Sequence, residues 1–343
     1  MDAEKSLNER KQKLLCGIVE AYIRTGEPVG SKMLADLFGN NLSSATIRNE
    51  MADLAGMGYL DQPHTSAGRV PTAAAFRLYI DKWMKHQPLP EEYRRAVDSM
   101  LNQAATSPDK LMEQAAQALS EATGCAAVTT APSSQGATVR RLELMRSSEH
   151  AVALIMMTSS GAIRSRVCRI DPPVSAEELS QIARTLSETF TGETLASLTL
   201  PRLQGMAAAL GGLRCLPLLS ALLELAAEAA EAEVLLAGQF KLLQHPAYEW
   251  ETARALLNLL SQRRLLAGLI GRQQINGPQV VLGGESSQPE LNGSSIIMTK
   301  YLAGPGTGSL GIIGPLRMDY AAAIPQLEYF ARALGKLLGE WLD

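Results

Sequence analysis

The N-terminal quarter of the sequence carries an order of helix and turn signals that few small folds can accommodate. Apolar residues recur at helical spacing after Asn8, a suitable N-cap, and Gly26 ends this first helix. A second short helix begins near Ser31, and a third begins at Ser43 or Ser44. We therefore expect three short helices in succession, each with one buried face.

The third helix has two chemically different faces. Ile47, Met51 and Leu54 recur at i, i+4 and i+7 and should pack inward, which leaves a small, polar outer face. A turn-rich loop over 61–68, between two short strand signals, then predicts a hairpin. Three helices and a hairpin in this order are typical of a winged helix-turn-helix, whose third helix enters the major groove of DNA. Candidate DNA contacts are Ser43, Ser44, Ala45, Thr46, Arg48 and Asn49 on the helix, and His64, Thr65, Ser66 and Arg69 in or beside the loop.

Net charge gives this module little attraction for DNA. Residues 1–86 contain 11 Lys or Arg against 10 Asp or Glu, and the whole chain has a net charge of −3. Because phosphate contacts supply most of the non-specific affinity, one such module should bind DNA weakly. We therefore expect two copies to act together on double-stranded DNA as a homodimer.

Composition excludes several classes of protein. Hydrophobic residues make up 46% and charged residues 20%, which indicates a folded chain and not a disordered or fibrous one. The charged start, Met1 to Leu15, lacks the apolar core of a signal peptide, and no stretch is apolar enough for a membrane span. We expect a cytoplasmic protein with no membrane association. The four cysteines are too far apart for a zinc site or disulfide framework, so we predict no metal and no cofactor; they are Cys16, Cys125, Cys168 and Cys215.

The centre of the chain is predicted to be one α/β sheet interrupted by helices. Between about Leu195 and Arg272 every local signal is helical, whereas strand signals occur on both sides. The late strands are too few to form a stable sheet and should need the early ones as partners. The early candidates are Cys125 to Thr130, Val139 to Met145, Ala151 to Thr158 and Ala162 to Ile170, and the late ones are Gln279 to Leu282, Ser295 to Tyr301 and Leu310 to Ile313.

Two patterns bear on assembly. The Ala- and Leu-rich helical stretch either packs within its own chain or presents an apolar stripe to a second subunit, and we favour dimerisation, through Leu222 and Leu225. In the strand over 162–170, Arg164 and Arg166 alternate with residues of other types. One face of the sheet should therefore be solvated there.

Several long strings resemble the HrcA family of bacterial heat-inducible transcription repressors. They are LNERKQKLL, TGEPVGSK, LSSATIRNEMADLAGMGYLDQPHTSAGRVPT and, far downstream, GSLGIIGPLRMDY. The resemblance implies an α+β, multidomain protein: a winged helix-turn-helix followed by a GAF-like α/β sheet domain that a helical dimerising insertion interrupts. It also implies an inverted-repeat operator of the CIRCE type ahead of chaperone genes, and the GroEL chaperonin as a partner. The chain departs from the family at Ala73, Ala74 and Ala75, where relatives tend to carry charged residues and Gly.

The implied boundaries place the DNA-binding domain at 1–87, the GAF-like domain at 105–194 and 276–343, and the helical insertion at 195–275. The predicted function is an operator-binding repressor and not an enzyme. A ligand-responsive repressor with a small-molecule effector is the alternative within regulation. An enzyme would need an acid and base pair, a metal cluster or a valid phosphate loop. The G-x-G-x-x-G string at 306–311 leads into Ile312 instead of opening a helix, and Arg317 is expected to have a structural role.

Overall fold

The computed structural model describes residues 7–39, 43–64, 67–133, 136–207, 210, 212–230, 234–271, 277–304 and 306–342. It is a mixed helix and sheet structure, as predicted for a multidomain α+β protein. The chain forms two compact units. The first unit contains Met1–Thr129, Leu235–Lys300 and Leu310–Ala333, and the second contains Thr130–Val234, Tyr301–Ser309 and Leu334–Asp343. Among the described residues, no helix has both the length and the apolar character needed to cross a membrane.

The N-terminal module, defined here as residues 7–83, has the predicted order of elements. Asn8 caps the first helix by accepting from the backbone N–H of Lys11, and Gly26 ends it in the left-handed conformation. A short two-stranded hairpin follows the third helix. The elements are α1 (Glu9–Thr25), α2 (Ser31–Leu37), α3 (Ser44–Gly56), β1 (Leu60–Asp61), β2 (Val70–Pro71) and α4 (Ala73–Leu78), which continues into a π-helical turn over Tyr79–Trp83.

Two helices lead from this module to a five-stranded sheet. The strand order is β7-β3-β10-β9-β8, and β8 pairs with β9 in antiparallel register. The last helix begins with Tyr320, whose side chain is fully buried. The elements are α5 (Glu91–Ala104), α6 (Pro108–Thr123), β3 (Ala126–Ser133), β7 (Val234–Ala237), α10 (Lys241–Gln244), α11 (Trp250–Ser261), α12 (Arg263–Gly271), β8 (Gln279–Leu282), β9 (Ser294–Ala303), β10 (Gly306–Pro315) and α13 (Tyr320–Leu342).

The second unit contains a separate antiparallel sheet. Its strands β4 (Val139–Ser148), β5 (Ala151–Thr158) and β6 (Ile163–Arg169) lie in the order β4-β5-β6, and helices α7 (Ala176–Phe190), α8 (Leu200–Ala207) and α9 (Leu216–Ala230) follow. One side of the sheet packs on α7 and α9 around Val152, Leu154 and Met156. A capping box begins α7, since Ser175 and Glu178 exchange hydrogen bonds. The Ser175 backbone N–H and the Arg214 guanidinium lower the pKa of Glu178 to about 2.

The single interrupted sheet predicted from the sequence is confirmed in part, because the early strand β3 lies beside the late strand β10. The other three early strands do not belong to it: among the described residues, β4, β5 and β6 pair with one another and not with the late strands, and they bury their inner face against α7 and α9. The predicted helical insertion over 195–275 also contains the strand β7, which forms one edge of the five-stranded sheet. The segment that leaves the five-stranded sheet after β3 and returns at β7 is therefore an α/β unit and not a helical one.

The other side of the β4-β5-β6 sheet is exposed and carries several apolar side chains beside charged ones. We call it the open sheet face. In the register of the sheet, Met145 lies opposite Ala153 and Ala153 opposite Val167, and in a second row Met157 lies opposite Ile163. The side chains of Met145, Ile163 and Val167 are 55%, 56% and 63% exposed. The solvent-exposed face predicted for this sheet is therefore the one that carries these three apolar side chains.

Two arginines of β6, Arg164 and Arg166, lie on the opposite side of the strand. Arg166 forms ion pairs with Glu224 and Glu228 of α9, so its side chain covers the helix. Its long aliphatic stem and its paired head make this side of the strand compatible with packing. The predicted alternation along β6 is correct, but the burial of its two sides is the opposite of the expected one: the side with Arg166 is covered and the other side is exposed.

Candidate nucleic-acid interface

The start of α3 is fixed by hydroxyl groups. Ser43 caps the helix: its Oγ accepts from the Thr46 backbone N–H at 3.1 Å and shares a hydrogen bond of 2.9 Å with the Thr46 Oγ1. The Oγ atoms of Ser31 and Ser44 are 2.9 Å apart, which joins the first turn of α2 to the first turn of α3. The remaining free N–H groups of this turn give the helix start a partial positive charge.

The two faces of α3 are those that the sequence predicts. Ile47, Met51 and Leu54 are buried. Ala45, Arg48 and Asn49 are exposed on the other side, at the capped end of the helix. Among the described residues, the bulky groups on this exposed end, Arg48 and Asn49, are therefore hydrogen-bonding ones.

A buried acid that the sequence analysis missed ties α3 to α1. Glu50 is only 6% exposed and pairs with Arg10, and its Oε2 lies 3.8 Å from the Lys11 Nζ. Lys11 also donates to Asp53 at 2.9 Å, and this hydrogen bond raises the pKa of Lys11. The pair offsets an acidic charge on α3 that would repel phosphate. The signal was the basic pair Arg10 and Lys11 in the first turn of α1, which has no acidic residue three or four positions away on the helix.

The hairpin is anchored to the loop between α1 and α2. Val29 and Arg69 exchange two backbone hydrogen bonds, of 2.8 and 2.9 Å. A Cβ on the preceding Gly68 would lie 2.5 Å from the Val29 carbonyl oxygen, so only glycine permits this approach. The Arg69 guanidinium donates to the Gln62 Oε1 at 2.7 Å, which directs it along the base of the hairpin.

The structure brings most of the predicted contact residues into one module. Those on α3 occupy its first two turns, and Arg69 and the exposed His64 belong to the hairpin. Thr65 and Ser66 lie outside the described residues. Where the structure is described, no group of three or more His, Cys, Asp or Glu side chains is arranged to hold a metal ion.

The predicted dimerisation residues lie outside the N-terminal module, and they are buried instead of exposed. Leu222 and Leu225 of α9 have no exposed surface, because they pack beneath the β4-β5-β6 sheet in the core of the second unit. A side chain that is already enclosed in its own chain cannot reach a second subunit. The apolar periodicity of α9 reflects packing within the chain.

Known proteins match this chain over nearly its full length. The family model described as the HrcA protein C-terminal domain matches residues 109–324. A heat-inducible transcription repressor HrcA from Desulforudis audaxviator is 33% identical over 97% of this chain and 98% of its own length. One from Laribacter hongkongensis is 33% identical over 98% and 97%. A crystal structure described only as that of a hypothetical protein has the same fold, with a TM-score of 0.59, 24% identity and coverage of 98% and 99%.

These matches define the class of protein as a transcription repressor. The chain belongs to the HrcA family, whose relatives cited above carry the name heat-inducible transcription repressor.

Proposed function

We propose that the chain represses transcription by binding an inverted-repeat operator as a homodimer. In this proposal residues 1–87 form a winged helix-turn-helix domain, with α3 in the major groove and the β1-β2 hairpin as the wing. The observation that carries the proposal is the division of α3 into two sides. One side is buried, and the other presents Ala45, Arg48 and Asn49 at the capped end of the helix.

Each exposed group suits a definite contact with DNA. An arginine can donate two hydrogen bonds to the O6 and N7 atoms of guanine, and an asparagine can bind the N6 and N7 atoms of adenine. The small Ala45 allows α3 to approach the base edges closely. The helix start favours a phosphate, and Arg69 is placed to follow the sugar-phosphate backbone. Arg48 and Asn49 would therefore select sequence, whereas Arg69 would add affinity.

The open sheet face is proposed as the dimer interface. It exposes Met145, Ile163 and Val167, whereas charged residues are depleted from the centres of protein interfaces. On the same face Arg141 lies opposite Met157 and Glu143 opposite Ile155, and the two side chains pair with each other, so these two charges would not enter an interface unpaired. Three strands about 4.8 Å apart and roughly 26 Å long cover about 400 Å² in projection, so an interface of the standard size, roughly 800 Å² per partner, would also use residues beside the strands.

A second copy of the chain is the occupant that the module requires. The 11 basic and 10 acidic residues of 1–86 give one module little electrostatic affinity. Two modules related by a twofold axis read two half-sites, which is why inverted-repeat DNA is bound by symmetric dimers. A sheet face that meets its own copy satisfies this symmetry.

The test is binding of labelled inverted-repeat DNA against scrambled DNA of equal length and base composition. We expect the repeat to bind at least roughly 10³-fold more tightly at physiological salt, because specific sites commonly exceed non-specific ones by that factor. Both duplexes are measured at two stated salt concentrations by fluorescence anisotropy. Equal affinities for the two duplexes at both concentrations would contradict the proposed function.

The finer points of the proposal rest on family membership. We propose that the operator is of the CIRCE type, ahead of chaperone genes, and that the GroEL chaperonin is a partner that supplies active repressor in the cytoplasm. Unfolded proteins released by heat would then occupy the chaperonin, and repression would lapse. We expect GroEL with ATP to raise the fraction of freshly diluted repressor that binds the operator. An unchanged fraction, measured by titrating active sites with excess DNA, would contradict this partnership.

A cavity in the first unit favours a second candidate function, an effector-binding repressor. It has a volume of about 310 Å³ and is lined by Ile23, His245, Arg317 and Gln326, among others. Burial, together with the nearby Arg317, lowers the pKa of His245. The lining therefore offers the Arg317 guanidinium and hydrogen-bonding groups to a small anion, and the Asp319 carboxylate, which also lines the cavity, limits the charge it would accept. Inorganic phosphate separates the two functions, because only the effector-binding repressor would change its operator affinity at constant ionic strength.

A further inference from the structure

Arg77 of α4 makes a strongly directional contact between the N-terminal module and the rest of the first unit. Its Nε donates to the Glu285 Oε1 at 2.7 Å, and a terminal nitrogen donates to the second carboxylate oxygen. The same guanidinium donates to the Val280 carbonyl oxygen at 2.7 Å. Glu285 is itself oriented, since its Oε2 accepts from the Leu282 backbone N–H at 3.1 Å.

Two further contacts of the module, and one of the chain just after it, reinforce this attachment. The ring of Phe76 is fully buried, with the centroids of Tyr22 and Tyr320 at 6.4 and 6.1 Å. The Gln87 backbone N–H donates to the Ala321 carbonyl oxygen at 3.0 Å. Behind α1, the Arg317 guanidinium lies against Gly26, where a Cβ would be 2.7 Å from its central carbon. The module is therefore held against the rest of the first unit by direct contacts as well as by the connecting chain.

The Arg77–Glu285 ion pair contributes more to the orientation of the module than to its stability. The hydrogen bond between the two side chains raises the pKa of Arg77 and lowers that of Glu285, so both groups are charged at neutral pH. Their side chains are 30% and 41% exposed, and solvent therefore screens part of the attraction. A two-pronged guanidinium and carboxylate contact nevertheless fixes the relative orientation of its partners.

We propose that the Arg77–Glu285 contact is a positioning device that sets which half-site spacing the repressor accepts. The inference rests on the proposed function, in which two copies of α3 read two half-sites. The partner joins outside the N-terminal module in that proposal. The route from one α3 to the other thus passes through the contacts that hold each module in place. If α4 is released from β8 and the turn after it, each module can rotate, and the dimer should tolerate more than one spacing.

The experiment uses the full-length protein and a series of inverted repeats that differ only in the number of base pairs between half-sites. The variants are Arg77→Met, the milder Glu285→Gln, and Arg77→Glu with and without Glu285→Arg. Arg95→Met is the matched control, because Arg95 forms an exposed ion pair with Glu91 on α5, away from the module. Circular dichroism and thermal unfolding confirm that each variant is folded.

We expect the wild-type protein to prefer one spacing sharply. In Arg77→Met, the ratio of affinities for the best spacing and for one changed by half a helical turn should fall roughly twofold to fivefold. Arg77→Glu should flatten the profile further, because it opposes two carboxylates, and adding Glu285→Arg should restore part of the preference. Arg95→Met should keep the wild-type profile.

Two different failures are distinguishable. If the wild-type protein does not prefer inverted repeats at all, the proposed function is wrong. If the wild-type profile is sharp and the folded Arg77→Met and Glu285→Gln variants give the same profile with uniformly lower affinity, the contact only stabilises the module and the positioning role is excluded. A uniform loss in Arg77→Glu that the reversed pair does not recover leads to the same exclusion.

Discussion

A protein that carries Ile163→Glu together with Val167→Glu is expected to be a folded monomer that has lost operator affinity by roughly 10²- to 10⁴-fold. Both side chains lie on the open sheet face, and neither contributes to the buried core beneath it. Two carboxylates facing their own copies across a twofold axis would each have to be desolvated without a partner, which prevents association. A monomer contacts one half-site instead of two, so it loses the gain in operator affinity that comes from linking two half-site contacts in one dimer.

The measurements are sedimentation velocity for mass and fluorescence anisotropy for operator binding. The matched control is Phe240→Glu with Trp250→Glu, which also replaces two exposed apolar side chains, 68% and 62% exposed, but outside the open sheet face. The control should stay dimeric. A dimeric Ile163 and Val167 variant, or a monomeric control, would place the interface elsewhere.

A substitution in α9 separates this interface from the one predicted by sequence. Leu222→Glu would place a carboxylate in a fully enclosed apolar core, so we expect loss of the near-ultraviolet signal and a lower melting temperature. An interface through Leu222 would instead give a folded monomer. The two outcomes differ in circular dichroism before any DNA is added.

Local signals in the sequence were sufficient for the elements of the N-terminal module. The caps at Asn8 and Ser43 and the capping box at Ser175 depend on hydrogen bonds within one turn, so the residues alone specify them. The buried and exposed sides of α3 also follow from periodicity. The candidate DNA contacts on α3 could be placed for the same reason.

The arrangement of strands could not be predicted in the same way. Strand pairing joins residues distant in sequence, and the apolar pattern of a strand does not name its partner. The strands β4, β5 and β6 therefore looked able to complete the sheet of the late strands. The short β7 was hidden because it lies among residues with strong helical propensity.

The faces of the second unit were misread for a related reason. Arg166 looked like a solvent-facing residue, but it pairs with Glu224 and Glu228 of α9, which are distant in sequence. That pairing covers one side of β6 and leaves the side with the apolar residues exposed. Leu222, in contrast, is enclosed in the core beneath the sheet. Which of two apolar surfaces meets a partner depends on which one the chain's own packing has already covered. Exposure in the folded unit, and not apolar periodicity, is therefore the observation that selects an interface.

Arg48→Ala and Asn49→Ala are each expected to reduce discrimination between the operator and base-substituted operators by about 1 to 3 kcal/mol, the range for one bidentate contact to a base edge. Both side chains are exposed at the capped end of α3, and neither is needed to bury Ile47 or Met51. The fold should therefore be unchanged, which thermal unfolding checks. Arg69→Ala is the matched comparison, because it also removes one cation from the module.

The comparison depends on what each group contacts. A phosphate contact carries no sequence information, so Arg69→Ala should weaken operator and scrambled DNA alike and reduce the slope of log K against log salt by about one unit. Arg48→Ala and Asn49→Ala should instead bring the operator affinity toward that of scrambled DNA, and each loss should concentrate at one base pair of each half-site. Affinities for every single-base-pair variant of one half-site would show this directly. If Arg48→Ala kept the full preference for the operator, α3 would not be the element that reads its sequence.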